Sequence, residues 1–450
     1  MPHQLIKDHA DLGTSIDILD KWIENAMHKH HQPGVAIGIV YDGGLLWGKG
    51  YGYADTDTQT PVTLDTRFRI ASITKTFTAT GIMQLRDAGK LSLDDPVSNY
   101  LDWFNLRYED APKITIRNLL THSSGLPRDS HNAMWTECDA PEWDEFVQET
   151  QNRQPTRPPY DQFAYSNLGY SLLGGIIETI SGLSWSDYLR QSILEPLGMS
   201  ETYPTPNSDD PLLAKGYSRF NEGYERTALP FFLMNGFEAS ANFASSINDL
   251  IKYARFHLNI DTTPVLSGHT VRDMHRIHWL YDKWDGGYGL GIGVFKIKDW
   301  VISGHSGGYP GYLTSFTVCR EHNASIILLT NALNSNPFQY IEQAYKLVLP
   351  QIIKATEKAK PEANPVWQTY VGDYVSDWDL SKVIIRDGQL QIIFLDSIDI
   401  PATILEPTDQ EHVFTLQEQG QSNETARFEL ENNDHVVKMW VRNEYSIRQS

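Results

Sequence analysis

Between Arg69 and Arg86 the chain carries one charged side chain, Lys75. The stretch reads RIASITKTFTATGIMQLR, and its segment FTATGIMQL is apolar or small nearly all round. A helix with no polar face is a buried helix, so structure has to cover it on every side. The remaining chain must supply those layers, and something must account for a lysine in the middle of them. At 450 residues, with 40% hydrophobic and 11% aromatic side chains, there is material for a large core and for two or three structural units.

Periodicity indicates what the layers are. Ile16, Leu19, Ile23, Ala26 and Met27 recur at helical spacing, which predicts an amphipathic helix over 15–30, ended by Pro33-Gly34. VAIGIVYDGGLLWGKGYGYAD follows, two β-prone runs around Asp42-Gly43-Gly44, a hairpin signal. From about Lys90 to Leu280 short helical patterns alternate with Pro/Gly/Asn/Asp loops. The clearest of these helices spans 168–181, with Gly182 as its C-cap. From Tyr288 the runs YGLGIGVFKI, WVISGHSGG, YLTSFTVCR and SIILLTN predict an antiparallel sheet, with SIILLTN a buried strand. Residues 337–356 return to a helical pattern. KATEKAKPEANP (354–365) is polar and Pro-containing and reads as a linker. About eight alternating runs after it, among them SKVIIRDG, QLQIIFLD and VVKMWVRN, fit an antiparallel barrel or sandwich.

A formal net charge of −20 argues against nucleic acid or anionic membrane as a partner. No apolar stretch approaches the roughly 18–20 residues that cross a bilayer. The opening MPHQLIKDHADLGTS has no basic region followed by an apolar run, so no leader is expected. The two cysteines, Cys138 and Cys319, are far apart and read as free thiols, which suits a cytoplasmic protein; removal of a leader would instead place it outside the cytoplasm.

Three short stretches carry residue types suited to chemistry. In Ser72-Ile-Thr-Lys75, a helix starting near Ser72 puts both side chains on one face. The serine then meets the free N–H groups of the helix start, and burial of Lys75 lowers its pKa until the amine can activate a hydroxyl. The plain alternative is an N-cap serine and a lysine reaching solvent. In Tyr165-Ser166-Asn167, ahead of the 168–181 helix, a phenol can pass a proton and an amide can orient a carbonyl; an ordinary N-cap is the alternative. His305-Ser306-Gly307-Gly308 closes the strand-like WVISG. Its glycines allow close backbone approach, and its alternative is a glycine-rich turn with an exposed histidine.

Taken together, in this order and spacing, the three stretches resemble the penicillin-recognising serine hydrolases: class C β-lactamases, D-Ala-D-Ala carboxypeptidases, family VIII esterases and related S12-type peptidases. That family's pattern is Ser-x-x-Lys, Tyr-x-Asn and a Lys/His-Thr/Ser-Gly triplet on a strand. LLTHSSGLP (119–127) and FRIASITKTFTA (68–79) share its look, and the resemblance covers about residues 15–355. It implies an α+β (α/β) fold: an antiparallel sheet flanked by helices, with an all-helical insert over about 90–280, in a hydrolase domain spanning 1–356. A linker at 357–365 and a lipocalin-like β-barrel at 366–450 follow.

The resemblance also implies roles. Ser72 is the nucleophile and Lys75 and Tyr165 move its proton. The N–H groups of Ser72 and Gly308 form the oxyanion hole, and Asn167, His305, Ser306 and Gly307 bind substrate. An acyl-enzyme forms without cofactor or metal, on a small molecule or short peptide: a peptide or amide, D-residues included, or a small ester. A β-lactamase and a non-catalytic binding or scaffold descendant are the competing readings. One departure is His305 where many members carry lysine: a lysine is a permanent cation for a substrate carboxylate, and a histidine is only partly charged near neutral pH. The appended barrel is expected to gate the cleft or to join copies into a homo-oligomer.

Other stretches carry weaker signals. GYGLGIG (287–293) lacks the spacing of a dinucleotide loop. His28, His30 and His31 fall at a helix end, and His269, His275 and His278 lack a matching carboxylate pattern, so neither group reads as a metal site. Arg153 and Arg157 are expected in an exposed loop.

Overall fold

The computed structural model describes residues 10–130, 134–221, 225–259, 264–356, 364–386, 388–395, 402–417, 424–431, 435–442 and 444–449. Most of the linker expected at 357–365, and the first nine residues on which the leader reading rests, lie outside them. Two compact units divide the chain, Met1–Ala355 and Thr356–Ser450.

The first unit is built on a nine-stranded sheet. Helix α1 (Ala10–Lys29) precedes β1 (Gly34–Tyr41), β2 (Gly44–Asp55), β3 (Thr60–Pro61) and β4 (Phe68–Arg69), after which α2 (Thr74–Asp87) begins. The middle of the chain contributes α3 (Asn167–Ser181), α4 (Glu238–Ala241), β5 (Ala244–Ser245) and α5 (Ile247–Leu258). Strands β6 (Trp279–Leu280), β7 (Gly286–Tyr288), β8 (Gly293–Ile297), β9 (Trp300–Tyr309), β10 (Tyr312–Cys319) and β11 (Ala324–Thr330) follow, and α6 (Pro337–Thr356) closes the unit. The order across the sheet is β3-β2-β1-β11-β10-β9-β8-β7-β6, with every pairing antiparallel. Among the described residues the middle region's regular elements are mostly short helices joined by loops, but not only helices, because β5 pairs with β4 and β6 adds the sheet's last strand.

The β1–β2 turn forms as its residues require. Asp42 (φ 50°) and Gly43 (φ 73°) are both left-handed, the conformation of a two-residue hairpin loop that matches strand twist. Side chains then alternate across the sheet. Val35, Ile37 and Ile39 of β1, with Ile326 and Leu328 of β11, share one core with Leu19 and Ile23 of α1 and Ile341, Tyr345 and Leu349 of α6. Ala36, Val40, Ile327 and Leu329 face the other way, onto the core that holds Phe77 and Ile82 of α2 and Leu250 and Tyr253 of α5. Both faces are therefore covered, and β11 is buried along its whole length, as its apolar Ile326–Leu329 run predicts. Helix α2, the apolar segment flagged at the outset, is buried from Thr74 through Met83.

The second unit is a closed eight-stranded antiparallel barrel, β12 (Gly372–Val375) through β19 (Glu444–Arg448), joined end to end by β12–β19 pairing. Its interior holds Tyr374, Val383, Ile392, Phe414, Phe428 and Met439. Among the described residues no helix is long and apolar enough to cross a membrane.

Candidate active site

The candidate serine lies in a short 3₁₀ turn, Ala71–Ile73, that leads into α2. Ala71, just before it, is left-handed at φ 50°, a strained conformation for a residue with a Cβ. Neighbours hold the turn in place. Thr314 Oγ1 of β10 donates to Ile70 O at 3.0 Å, and Ile70 N–H donates to Phe243 O at 2.9 Å. Strand β9 comes so close that a Cβ on Gly307 would lie 2.3 Å from Ile70 O and 2.2 Å from Thr314 Oγ1, so only glycine fits there.

Lys75, one turn into α2, does not reach solvent; its exposure is 0%. Its Nζ lies 3.3 Å from Ser72 Oγ, 2.7 Å from Asn167 Oδ1 and 2.9 Å from Ser240 O. Burial drives its pKa well below the usual lysine value; the Asp129 carboxylate pulls the other way, and Arg128 adds to the lowering. Two of its three oxygen partners, an amide and a carbonyl, only accept hydrogen bonds. A neutral amine has two N–H donors, which those two consume, and its lone pair is left for the Ser72 hydroxyl.

Asn167 is the first residue of α3, and Ser166 caps that helix by accepting from Gly169 N–H at 2.9 Å. The ordinary N-cap role thus belongs to Ser166, which leaves Tyr165 and Asn167 beside Lys75. Asn167 Nδ2 donates to Asp129 Oδ1 at 2.7 Å, so the carboxylate sets the amide's orientation and turns Oδ1 toward the amine. Lys75 Nζ is 4.9 Å from the centre of the Tyr165 ring. Burial raises the Tyr165 pKa, and its interaction with the Ser72 side chain partly opposes that. The phenol therefore holds its proton at neutral pH.

His305 is 9% exposed and sits inside β9, which runs on to Tyr309, so the glycine-rich segment is strand and not turn. Pairing with β10 continues through Gly308–Leu313, whereas β8 ends at Gly293 opposite Gly304. From His305 to Gly308 no other described strand covers that edge. A cleft of about 600 Å³ opens there, lined by Tyr165, the His305–Gly308 segment, and the rings of Phe163, Tyr281, Tyr288, Phe295 and Phe338. Ser72 and Lys75 are not among its lining residues; of the three, only Tyr165 borders the cleft.

Sequence reading passed over several participants. His122, within the LLTHSSGLP stretch, packs its ring 4.2 Å from Tyr165 and accepts from Ser166 N–H through Nδ1 at 3.0 Å. Its proton is therefore on Nε2, which is buried without a hydrogen-bond partner. Burial, then the nearby Lys75, His305 and Arg128, hold it neutral. Asp129 and Arg128 follow that same stretch directly, so LLTHSSGLPRDS was the signal that marked them. Ser240, which contributes a backbone carbonyl, and Tyr288 left no local signal.

The weaker candidates are accounted for elsewhere. His275 hydrogen-bonds His257 at 2.9 Å and Ser303 at 2.6 Å, and His31 stacks on Phe220. GYGLGIG forms the β7–β8 turn and packs on α2, where a Cβ on Gly291 would approach Ala79 to 2.3 Å. The 153–157 loop packs on Gly125, with Arg153 donating to Ser130 O. No group of three or more His, Cys, Asp or Glu among the described residues is arranged to hold a metal.

Comparison with known proteins gives this arrangement its context. Residues 19–349 match the beta-lactamase family model. The chain belongs to the beta-lactamase family. That family has the β-lactamase/transpeptidase fold and is generally one of serine hydrolases. Protein flp of Staphylococcus aureus strain N315 is 30% identical over 339 residues, covering 74% of this chain and 66% of that protein. Beta-lactamase-like protein 2 of Dictyostelium discoideum is 28% identical over 365 residues, covering 78% of this chain and 65% of that protein. The chain thus spans just under two thirds of these relatives' lengths. Among solved structures, the octameric penicillin-binding protein homologue from Pyrococcus abyssi superposes with a TM-score of 0.67 at 26% identity, over 96% of this chain and all of that one. EstCE1, a hydrolase with promiscuous acyltransferase activity, shares the fold at a TM-score of 0.63 and 20% identity, over 75% of this chain and 98% of its own.

Proposed function

We propose that this beta-lactamase family member hydrolyses amides, peptides with D-residues included, or small esters through an acyl-enzyme on Ser72. The supporting observation is the buried Lys75 Nζ, 3.3 Å from Ser72 Oγ and held by two acceptor oxygens, so that a neutral amine there turns its lone pair to the Ser72 hydroxyl. Ser72 Oγ attacks the carbonyl carbon while its proton passes to Lys75 Nζ. The carbonyl oxygen takes up negative charge facing the N–H groups of Ser72 and Gly308. As the C–N or C–O bond breaks, the leaving group takes a proton from Lys75 through the Tyr165 phenol. Water, deprotonated by the same pair, releases the acid and restores Ser72. Asn167 serves here by holding Lys75, a different role from the substrate contact its motif suggests. A fluorophosphonate probe is expected to label the wild type and to leave Ser72→Ala unlabelled. Equal labelling of both proteins would remove Ser72 from the mechanism.

A second part of the reading concerns assembly. We propose a homo-oligomer, as is the octameric homologue from Pyrococcus abyssi, and assign its contact to the C-terminal barrel. On the barrel, Trp378 is 78% exposed and Ile447 52%, with Leu380 and Tyr445 also exposed; exposed apolar side chains of this kind suit a contact surface. Light scattering is expected to give a multi-subunit mass that falls in a Trp378→Ser, Ile447→Ser double variant. A monomeric wild type sinks this proposal.

A further inference from the structure

At the position where a lysine would hold a substrate carboxylate, His305 has both ring nitrogens committed. Nδ1 lies 2.6 Å from Ser306 O, and a carbonyl only accepts, so Nδ1 carries the proton. Burial keeps the ring neutral, so Nε2 is left as an acceptor, 3.0 Å from the Tyr288 hydroxyl. The ring is locked as the neutral Nδ1–H tautomer with no free donor for an anion. The cleft beyond it contains no Lys, Arg, Asp or Glu among its lining residues and presents five aromatic rings besides Tyr165. The hairpin that carries Tyr281 and Tyr288 also leaves Leu280 and Trp284 exposed, Trp284 to 82%.

Two basic side chains stand nearby. Lys75 is buried, and as a neutral amine it spends its two N–H donors on Asn167 Oδ1 and Ser240 O. Arg128 lies with its guanidinium 5.4 Å from the Tyr165 ring centre and is paired with Asp129 at 3.5 Å, so the two charges offset each other.

Resting on the hydrolase reading, we infer that the substrate group filling this cleft is uncharged and aromatic or bulky-apolar, and that no free carboxylate flanks the bond broken. A carboxylate placed there would lose its water and find no cation in return. His305, held by Tyr288, is the residue that sets this preference, and it turns the site away from β-lactams and from peptides cut next to a C-terminal carboxylate.

The test compares 3-carbamoylphenyl phenylacetate with 3-carboxyphenyl phenylacetate, which differ in one charge, at neutral pH. The carbamoyl ester is expected to have a kcat/KM about tenfold or more above its partner. His305→Lys, which installs a permanent cation, is expected to narrow or reverse that ratio. Should that variant not fold, Tyr288→Phe frees Nε2 to take a proton, and its ratio is expected to narrow as the pH is lowered while the wild-type ratio holds. Equal turnover of the two esters, preference for the carboxylate, or an unchanged ratio in folded His305→Lys overturns the inference. If the carboxylate is preferred and Arg128→Gln removes that preference, Arg128 is the anion site and the inference also fails. Labelling at Ser72 with turnover of neither ester overturns this inference alone. Absence of both labelling and turnover overturns the hydrolase reading, and this inference with it.

Discussion

Lys75→Met is expected to lower kcat/KM by about 10²–10⁴-fold, the range a positioned general base supplies. Methionine keeps nearly the same length and suits the buried surroundings, but it has no lone pair able to take the Ser72 proton. It also strands Asn167 Oδ1 and Ser240 O, which now receive N–H donors at 2.7 and 2.9 Å. Each such orphan costs about 1–3 kcal/mol, partly offset because a buried amine no longer has to be desolvated. The variant should therefore fold, with an altered melting temperature, and fail in chemistry. Fluorophosphonate labelling should slow along with turnover. A folded variant retaining wild-type kcat/KM would remove Lys75 as the base and return Ser72 and Lys75 to coincidence.

Acid is expected to unfold the first unit well before its carboxylates are all protonated. Burial holds His122, His257, His275 and His305 neutral, with His257 and His305 pushed down to about 3. In the unfolded chain each returns to about 6.5. Below that value the unfolded state binds protons that the folded state refuses, so stability is complete above about pH 6.5 and falls as the pH drops toward 3. At pH 5 the loss is about 2 kcal/mol for each of His257 and His305, with His122 and His275 acting in the same direction. Denaturant titrations at pH 7 and pH 5 measure it, and His305→Gln should make the decline less steep. A midpoint unchanged between the two pH values contradicts the burial of these neutral rings.

Much of the framework was legible because it is local. Asp42-Gly43 specifies its hairpin through two left-handed residues, and the run of four apolar residues Ile326–Leu329 in β11 announces a strand covered on both faces. Helix α2 was legible for the same reason, since its lack of a polar face left it nowhere but the interior. The C-terminal runs alternate as barrel strands do, although the closing β12–β19 pair joins segments that nothing local connects. His305 was harder to read. Its glycine neighbours look like a turn, and only the register with β10 extends the strand through them.

By itself the sequence determined which residue types stand near one another along the chain. It set a serine one helical turn from a lysine, a tyrosine two residues from an asparagine, and a histidine ahead of two glycines, each with a bland alternative. Tertiary structure decided between the alternatives. It joined Lys75 to Asn167, 92 residues away, and to Ser240, 165 residues away, and it withdrew the amine from water. It also set Tyr288 against His305 and so fixed that ring's proton. The physical reason is that a protonation state depends on desolvation and on partners from distant segments, and neither is a property of neighbours in the chain.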